Sequence, residues 1–194
     1  GLTPAAIEFM DRRAIHICED FASAGYPLDV EALLIIELEG SENELRLQFD
    51  QIRDIAGAFG PKTVRTAQSD EESERIWKGH KAAFGAIGQL SDYYCVDGVI
   101  PISRIADVLG WVEHISRHYD FEVANLFRAG DGSLYLFILF DANDAAQLAR
   151  AEACGGELLR LCVKAGGCIT GEHGIGLEKR EFMRDQFGDY DLYQ

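Results

Sequence analysis

Phe121-Glu-Val-Ala-Asn-Leu-Phe-Arg-Ala-Gly-Asp-Gly-Ser-Leu-Tyr-Leu-Phe-Ile-Leu-Phe140 decides the fold class. Two near-continuous apolar runs, 121–129 and 133–140, flank Asp131-Gly132. An Asp-Gly pair between hydrophobic runs predicts a two-residue hairpin, whose primed turn needs positive φ at both positions. Antiparallel strands therefore sit inside a chain that otherwise alternates strand and helix. With Asp131-Gly132 as the turn, Gly130 faces Ser133, Ala129 faces Leu134 and Arg128 faces Tyr135. That last pair shares one face, with Cβ atoms about 5 Å apart. Two readings stay open: an Arg–Tyr cross-strand contact that stabilises the hairpin, or a cation and a phenol lining a pocket for an anionic ligand.

Upstream, Pro4–Met10 reads as a strand. Asp11–Ala24 reads as a helix with Ile15, Cys18, Phe21 and Ala22 inward and Gly25 as a stop. Ala32–Leu38 is a continuous apolar run, expected as a buried strand. A capping box, Ser41 with Glu44, opens a helix that Gly60-Pro61 ends. Thr63–Ala67 reads as a further strand. Ser69 with Glu72 opens another helix, carrying Ile76, Trp77, Phe84 and Ile87. In the second half, a strand over Tyr94–Ile100 precedes a helix over Ile102–Tyr119. After the hairpin, a long helix from Asn143 to Ala165 stops at Gly166-Gly167. This order fits two related α+β units, residues 1–90 and 91–184, with antiparallel sheets, better than one doubly wound sheet.

The 194 residues are 47% hydrophobic and 26% charged, enough for a packed core. A net charge of −15 repels nucleic acid and anionic membrane surfaces, so an acidic substrate needs a local cationic pocket. Five cysteines, an odd count without a C-x-x-C pair, fit reduced thiols in a cytoplasmic protein. No apolar run reaches membrane-spanning length.

Gly166-Gly-Cys-Ile-Thr-Gly-Glu-His-Gly-Ile-Gly176 follows the long helix. Gly171, Gly174 and Gly176 allow close backbone approach to a flat ligand. Glu172 and His173 are neighbours. Imidazole accepts a proton near neutral pH, and a carboxylate can ligate a metal or orient a neighbour. As a local pattern this is also a helix C-cap followed by a surface loop.

The longer string Gly167-Cys-Ile-Thr-Gly-Glu-His-Gly-Ile-Gly-Leu-Glu-Lys-Arg180 resembles the signature of the C-terminal domain of FAD-linked oxidases, of the glycolate oxidase and D-lactate dehydrogenase type. Trp77-Lys-Gly-His-Lys-Ala-Ala-Phe84, Tyr93-Tyr-Cys-Val-Asp-Gly-Val-Ile-Pro101, Ala124-Asn-Leu-Phe-Arg-Ala-Gly-Asp-Gly132 and Gly155-Gly-Glu-Leu-Leu-Arg-Leu-Cys162 resemble the same family in order and spacing. Several segments in register are more specific than any single motif. The resemblance implies a duplicated ferredoxin-like cap spanning residues 1–194, seated over the flavin of an N-terminal FAD-binding domain. It implies a 2-hydroxyacid substrate that passes hydride to flavin. His173 would be the base, Glu172 a metal ligand or orienting group, and Gly171, Gly174 and Gly176 would lie against the cofactor.

Two departures from the family pattern matter. The family hairpin, His-x-Gly-Asp-Gly-Asn-Leu-His, offers two histidines to a divalent metal. Here Arg128 and Tyr135 replace them. Glu172 is then the single remaining ligand, and a standard metal site is not expected. Arg128 is expected to supply positive charge in the metal's place, because a guanidinium grips a carboxylate in a fork. His80 stands where relatives often carry a substrate-binding arginine, so carboxylate binding is expected to stay on His80 in weakened form or to move to Arg128, Lys78 or Lys81. These residues alone are expected to bind no FAD tightly and to be inactive without the flavin-binding part. The resemblance leaves room for iron–sulfur and flavin-related partner subunits and peripheral attachment to a membrane through them. The alternative is a degenerate, non-catalytic binding or assembly module that keeps the cap fold.

Overall fold

The computed structural model describes residues 2–193. Five strands form one antiparallel sheet in the order β2-β1-β4-β5-β3. They are β1 (Ala6–Asp11), β2 (Ala32–Glu37), β3 (Asp92–Val99), β4 (Glu122–Arg128) and β5 (Ser133–Phe140). The fold is α+β, with helices on both faces of the sheet.

The main helices are α1 (Arg12–Ala22), α2 (Glu42–Ala58), α3 (Asp70–Lys81), α4 (Ala83–Leu90), α5 (Ile105–Tyr119) and α6 (Ala145–Lys164), with two short turns, α7 (Met183–Gln186) and α8 (Asp189–Leu192). Their starts follow local chemistry. The Asp11 carboxylate accepts from Ala14 N at 2.8 Å to cap α1, and Ser41 and Glu44 form their capping box at α2. Asp144 caps α6 by accepting from Ala146 N.

In the second half, β3, α5, β4, β5 and α6 follow in turn. The chain then returns at Cys168, which bridges antiparallel to Val99. The spatial order, returning segment–β3–β5–β4, is that of a ferredoxin-like βαββαβ unit whose last strand has shrunk to one bridge. β1 joins this unit along β4 and carries β2 outside it, so both halves share one sheet.

Strand alternation divides the core between the two faces. Leu134, Leu136, Ile138 and Phe140 pack with Val108, Val112 and Ile115 of α5 and Leu158, Leu159 and Cys162 of α6. Tyr135, Phe137 and Leu139 turn the other way, toward Ile15 and Cys18 of α1 and Ala83 and Ile87 of α4.

Several sequence expectations are corrected. Thr63–Ala67 is not a strand. Side chains tie the segment and its neighbour Lys62 to the α1–β2 loop and to α3: Arg65 donates to the Gly25 carbonyl at 3.1 Å and pairs with Glu72 of α3 at 3.3 Å, and Lys62 donates to the Asp29 carbonyl at 3.0 Å. β2 is an edge strand, with Leu34 53% exposed, because only β1 pairs with it. Phe21 faces solvent, and the inward face of α1 is Ala14, Ile15, Ile17 and Cys18. The single helix expected to carry Trp77 and Phe84 breaks at Ala82 into α3 and α4.

The hairpin also differs. Arg128 pairs with Ser133, and Leu126 with Tyr135. The connection is four residues long, not two. Arg128 O accepts from Asp131 N and Gly132 N, and Gly132 alone has positive φ, at +85°. A four-residue loop built around a turn wins because the Gly132 backbone also packs on Ile100. Ile100 N donates to Gly132 O at 3.0 Å, and a Cβ at 132 would lie 2.0 Å from the Ile100 carbonyl oxygen. Arg128 and Tyr135 thus become diagonal neighbours. They still share a face, since a shift by two residues preserves side-chain direction.

Candidate functional site

The site lies on the α1/α4 face of the sheet, at the end nearest the hairpin. Four strands contribute in register. Glu8 of β1 stands opposite Arg128 of β4, and Tyr135 of β5 stands opposite Asp97 of β3. His80 descends from α3, Phe84 from α4, and the segment Thr170–Gly174 crosses the open end.

Arg128 forms a salt bridge with Glu172, and both side chains are a little under half exposed. The guanidinium carbon lies 5.9 Å from the Tyr135 ring centre. Burial would lower the Arg128 pKa, but the Glu172 carboxylate outweighs it and the guanidinium is held firmly charged. Tyr135 is buried; burial first and the Glu172 carboxylate second push its phenol up, so it stays protonated. The His173 ring is 6.1 Å from Tyr135 and 6.4 Å from Phe84, with 44% of its side chain exposed. The expected group of Arg128, Tyr135, Glu172 and His173 is therefore gathered at one place.

His80 sits close by but is already engaged. Its Nε2 lies 3.4 Å from Glu8 Oε2, and both side chains are largely buried. Lys78 and Lys81, also considered as carboxylate binders, instead line a separate groove with Glu37, Glu74 and Trp77. Gly171 has a structural reason of its own: a Cβ there would lie 2.8 Å from Asp97 Oδ1. Gly174 and Gly176 have left-handed φ, and a Cβ at either would meet open space.

Sequence reasoning missed Asp97, Lys179 and Glu8. Asp97 is fully buried, yet its carboxylate is surrounded by donors. It accepts from Thr170 Oγ1 at 3.0 Å and from the backbone N–H groups of Gly171 at 3.1 Å, Glu172 at 3.1 Å and His173 at 2.8 Å. Lys179, only 4% exposed, reaches the same carboxylate at 3.4 Å and the Asp97 carbonyl at 2.9 Å. Burial alone would push the Asp97 carboxyl up. The His173 amide, the Lys179 ammonium and the other donors more than offset this and hold it below the usual carboxylate range. Cys95, two residues earlier on the same face, is pushed up to about 12, chiefly by burial, and is a neutral thiol. The available signal was an acid between Val96 and Gly98, in the interior of a strand whose other acid, Asp92, stands at its first position.

A divalent metal does not fit this donor set. Among the described residues, no three His, Cys, Asp or Glu side chains converge as ligands. Glu172 is taken by Arg128, and Asp97 by five donors.

The profile of the family "FAD linked oxidases, C-terminal domain" matches residues 1–193. The chain belongs to that family. It is 46% identical over 193 residues to glycolate oxidase subunit GlcD of Escherichia coli, covering 99% of this chain and 39% of that protein. It is 29% identical to glycolate oxidase subunit GlcD of Bacillus subtilis, over 94% of this chain and 39% of that protein. Identity to a probable mitochondrial D-lactate dehydrogenase of Danio rerio is 30%, over 97% of this chain and 38% of that protein. The chain thus spans about two fifths of the length of these curated relatives. Among solved structures, p-cresol methylhydroxylase with substrate bound superposes with a TM-score of 0.66 at 12% identity, over 97% of this chain and 42% of that one. The 4-ethylphenol oxidase from Gulosibacter chungangensis superposes at 0.57 and 14%, over 93% and 43%. At such identities these two likenesses speak for the fold alone. Membership links this chain to FAD, and no described helix is long and apolar enough to cross a membrane.

Proposed function

We propose that this chain is the substrate-capping part of an FAD-dependent 2-hydroxyacid dehydrogenase of the glycolate or D-lactate type. The observation that carries the reading is the convergence of a half-exposed imidazole, His173, with the Arg128–Glu172 pair and the Tyr135 phenol on one open face. In this reading His173 takes the hydroxyl proton as the α-carbon gives up hydride. Arg128 holds the substrate carboxylate, partly exchanging Glu172 for it, and supplies the positive charge that a divalent metal would otherwise bring. Tyr135 donates a hydrogen bond from its protonated phenol. When bound, FAD accepts the hydride, and the uncovered backbone at Gly174 and Gly176 offers a surface for a flat ring. The flavin itself is held mainly by a part of the protein outside residues 1–194, and residues 1–194 act as one cap composed of two related units. Partner subunits of iron–sulfur and flavin-related type fit the similarity to glycolate oxidase subunits.

A second reading, a non-catalytic module that keeps the cap fold, has one observation in its favour. Both candidate carboxylate binders at the site already face carboxylates, Arg128 on Glu172 and His80 on Glu8. The test is the visible flavin absorbance of the full-length protein under anaerobic conditions. Bleaching on addition of glycolate or D-lactate supports the dehydrogenase. A bound flavin that stays oxidised with every 2-hydroxyacid supports the module.

A further inference from the structure

We infer that Asp97 is a positioning residue: its buried carboxylate fixes the backbone of Gly171–His173 and so aims Glu172 and His173 at the reaction. This rests on the reading of His173 as the base. The need for such a device follows from chain geometry. Adjacent side chains on an extended backbone point to opposite sides, yet Glu172 must reach Arg128 while the His173 ring turns over Tyr135 and Phe84. Only a curled backbone does both, and a curl points consecutive N–H groups inward, where they need an acceptor.

Asp97 is that acceptor. Three successive N–H groups, Gly171, Glu172 and His173, end on its carboxylate, and the Thr170 hydroxyl joins them. The same hydroxyl accepts from Gly174 N at 2.8 Å, which extends the curl by one residue. Lys179 closes the far side, so the segment is tied to one carboxylate at both of its ends. The part between carries left-handed Gly174 and Gly176 and an 89% exposed Leu177, and apart from the Ile175 side chain on the core and one backbone bond from Lys179 N to Ile175 O its shape depends on the tether. The tether point is itself rigid. β3 pairs with β5 over its full length, and Asp97 sits opposite Tyr135, so one register sets the distance from the curl to the phenol. The missing Cβ at Gly171 lets the backbone come this close.

The experiment uses the full-length flavoprotein with Asp97→Asn. The amide matches the carboxylate in size, removes the charge, and turns one acceptor into a donor facing other donors. A second variant, Asp97→Asn with Lys179→Met, leaves no unpaired buried ammonium; it replaces the single variant if β5 amides lose their protection from hydrogen exchange. Two readouts are taken: hydrogen exchange across Gly171–His173 relative to β5, and the single-turnover rate of flavin reduction as a function of D-lactate or glycolate. The expected result is exchange at Gly171–His173 faster by about 100-fold with β5 unchanged. The limiting reduction rate falls at least ~100-fold, as for a base displaced by an ångström, and by more than the apparent substrate affinity does. Retained protection at Gly171–His173 overturns the proposal, and so does lost protection with an unchanged reduction rate. A wild-type flavin that no 2-hydroxyacid reduces sinks the functional reading instead, and the exchange readout then decides alone whether Asp97 holds the segment.

Discussion

Along β5, alternate side chains enter two unlike environments. Leu134, Leu136, Ile138 and Phe140 belong to an apolar cluster built largely from α5 and α6. Phe137 and Leu139 do much the same against α1 and α4, but nearer the hairpin Tyr135 stands among Arg128, Glu172, His173 and Asp97. All eight residues of the strand are buried. One face stabilises the sheet, and the end of the other face gathers the polar groups of the candidate site against it. A stable scaffold on one side lets polar groups on the other keep fixed directions.

Substitutions separate the two roles. The largest effect is expected on the site face: His173→Gln slows flavin reduction by about 10³-fold, or roughly 4 kcal/mol of barrier, without changing the melting temperature. Stopped-flow reduction of the full-length protein measures it. On the other face, Leu136→Ala removes about 3 kcal/mol of folding stability by opening a cavity, read by chemical denaturation, while the reduction rate per folded molecule stays the same. Gly132→Ala lies at the join of the two. With φ at +85° and a Cβ 2.0 Å from the Ile100 carbonyl oxygen, it costs more than about 1 kcal/mol and disturbs Arg128 as well. The smallest effect is on the remote surface, where Arg117→Ala breaks an exposed pair with Glu113 for less than about 0.5 kcal/mol.

Acid offers another way to split the faces. Because the folded-state pKa of Asp97 is depressed, its contribution to stability is complete above the ordinary value of 3.8 and is lost as pH falls through the lower, folded value. Protection of the Gly171–His173 amides is therefore expected to weaken as pH drops below 3.8, and that weakening disappears in Asp97→Asn. An acid response of the same size with and without the Asp97 carboxylate would contradict this.

Much of the scaffold was legible because it depends on local rules. Asp-Gly marked the hairpin, Ser41 with Glu44 marked a helix start, and the apolar runs marked β3, β4 and β5. Errors arose where tertiary partners decide. Thr63–Ala67 has strand-forming residues, but side-chain anchors hold it to the α1–β2 loop and to Glu72 of α3. β2 has the composition of a buried strand and sits at an edge. The hairpin register slipped by two because packing on Ile100 outweighed the local Asp-Gly preference. The gathering of Arg128 and Tyr135 survived that error, since an even slip preserves the face. Asp97 was hidden for another reason: three of its five partners are backbone N–H groups some 75 residues away, and backbone donors leave no mark on a sequence.

The proposed substrate site uses Arg128 as its fixed cation in place of a divalent metal. It is tested most directly by anaerobic flavin reduction in the full-length protein after exhaustive chelation, with and without added zinc or manganese. Glycolate or D-lactate is expected to bleach the flavin equally fast in both samples, and Arg128→Ala to weaken substrate binding by at least ~10-fold. Bleaching that appears only after metal is restored would contradict it.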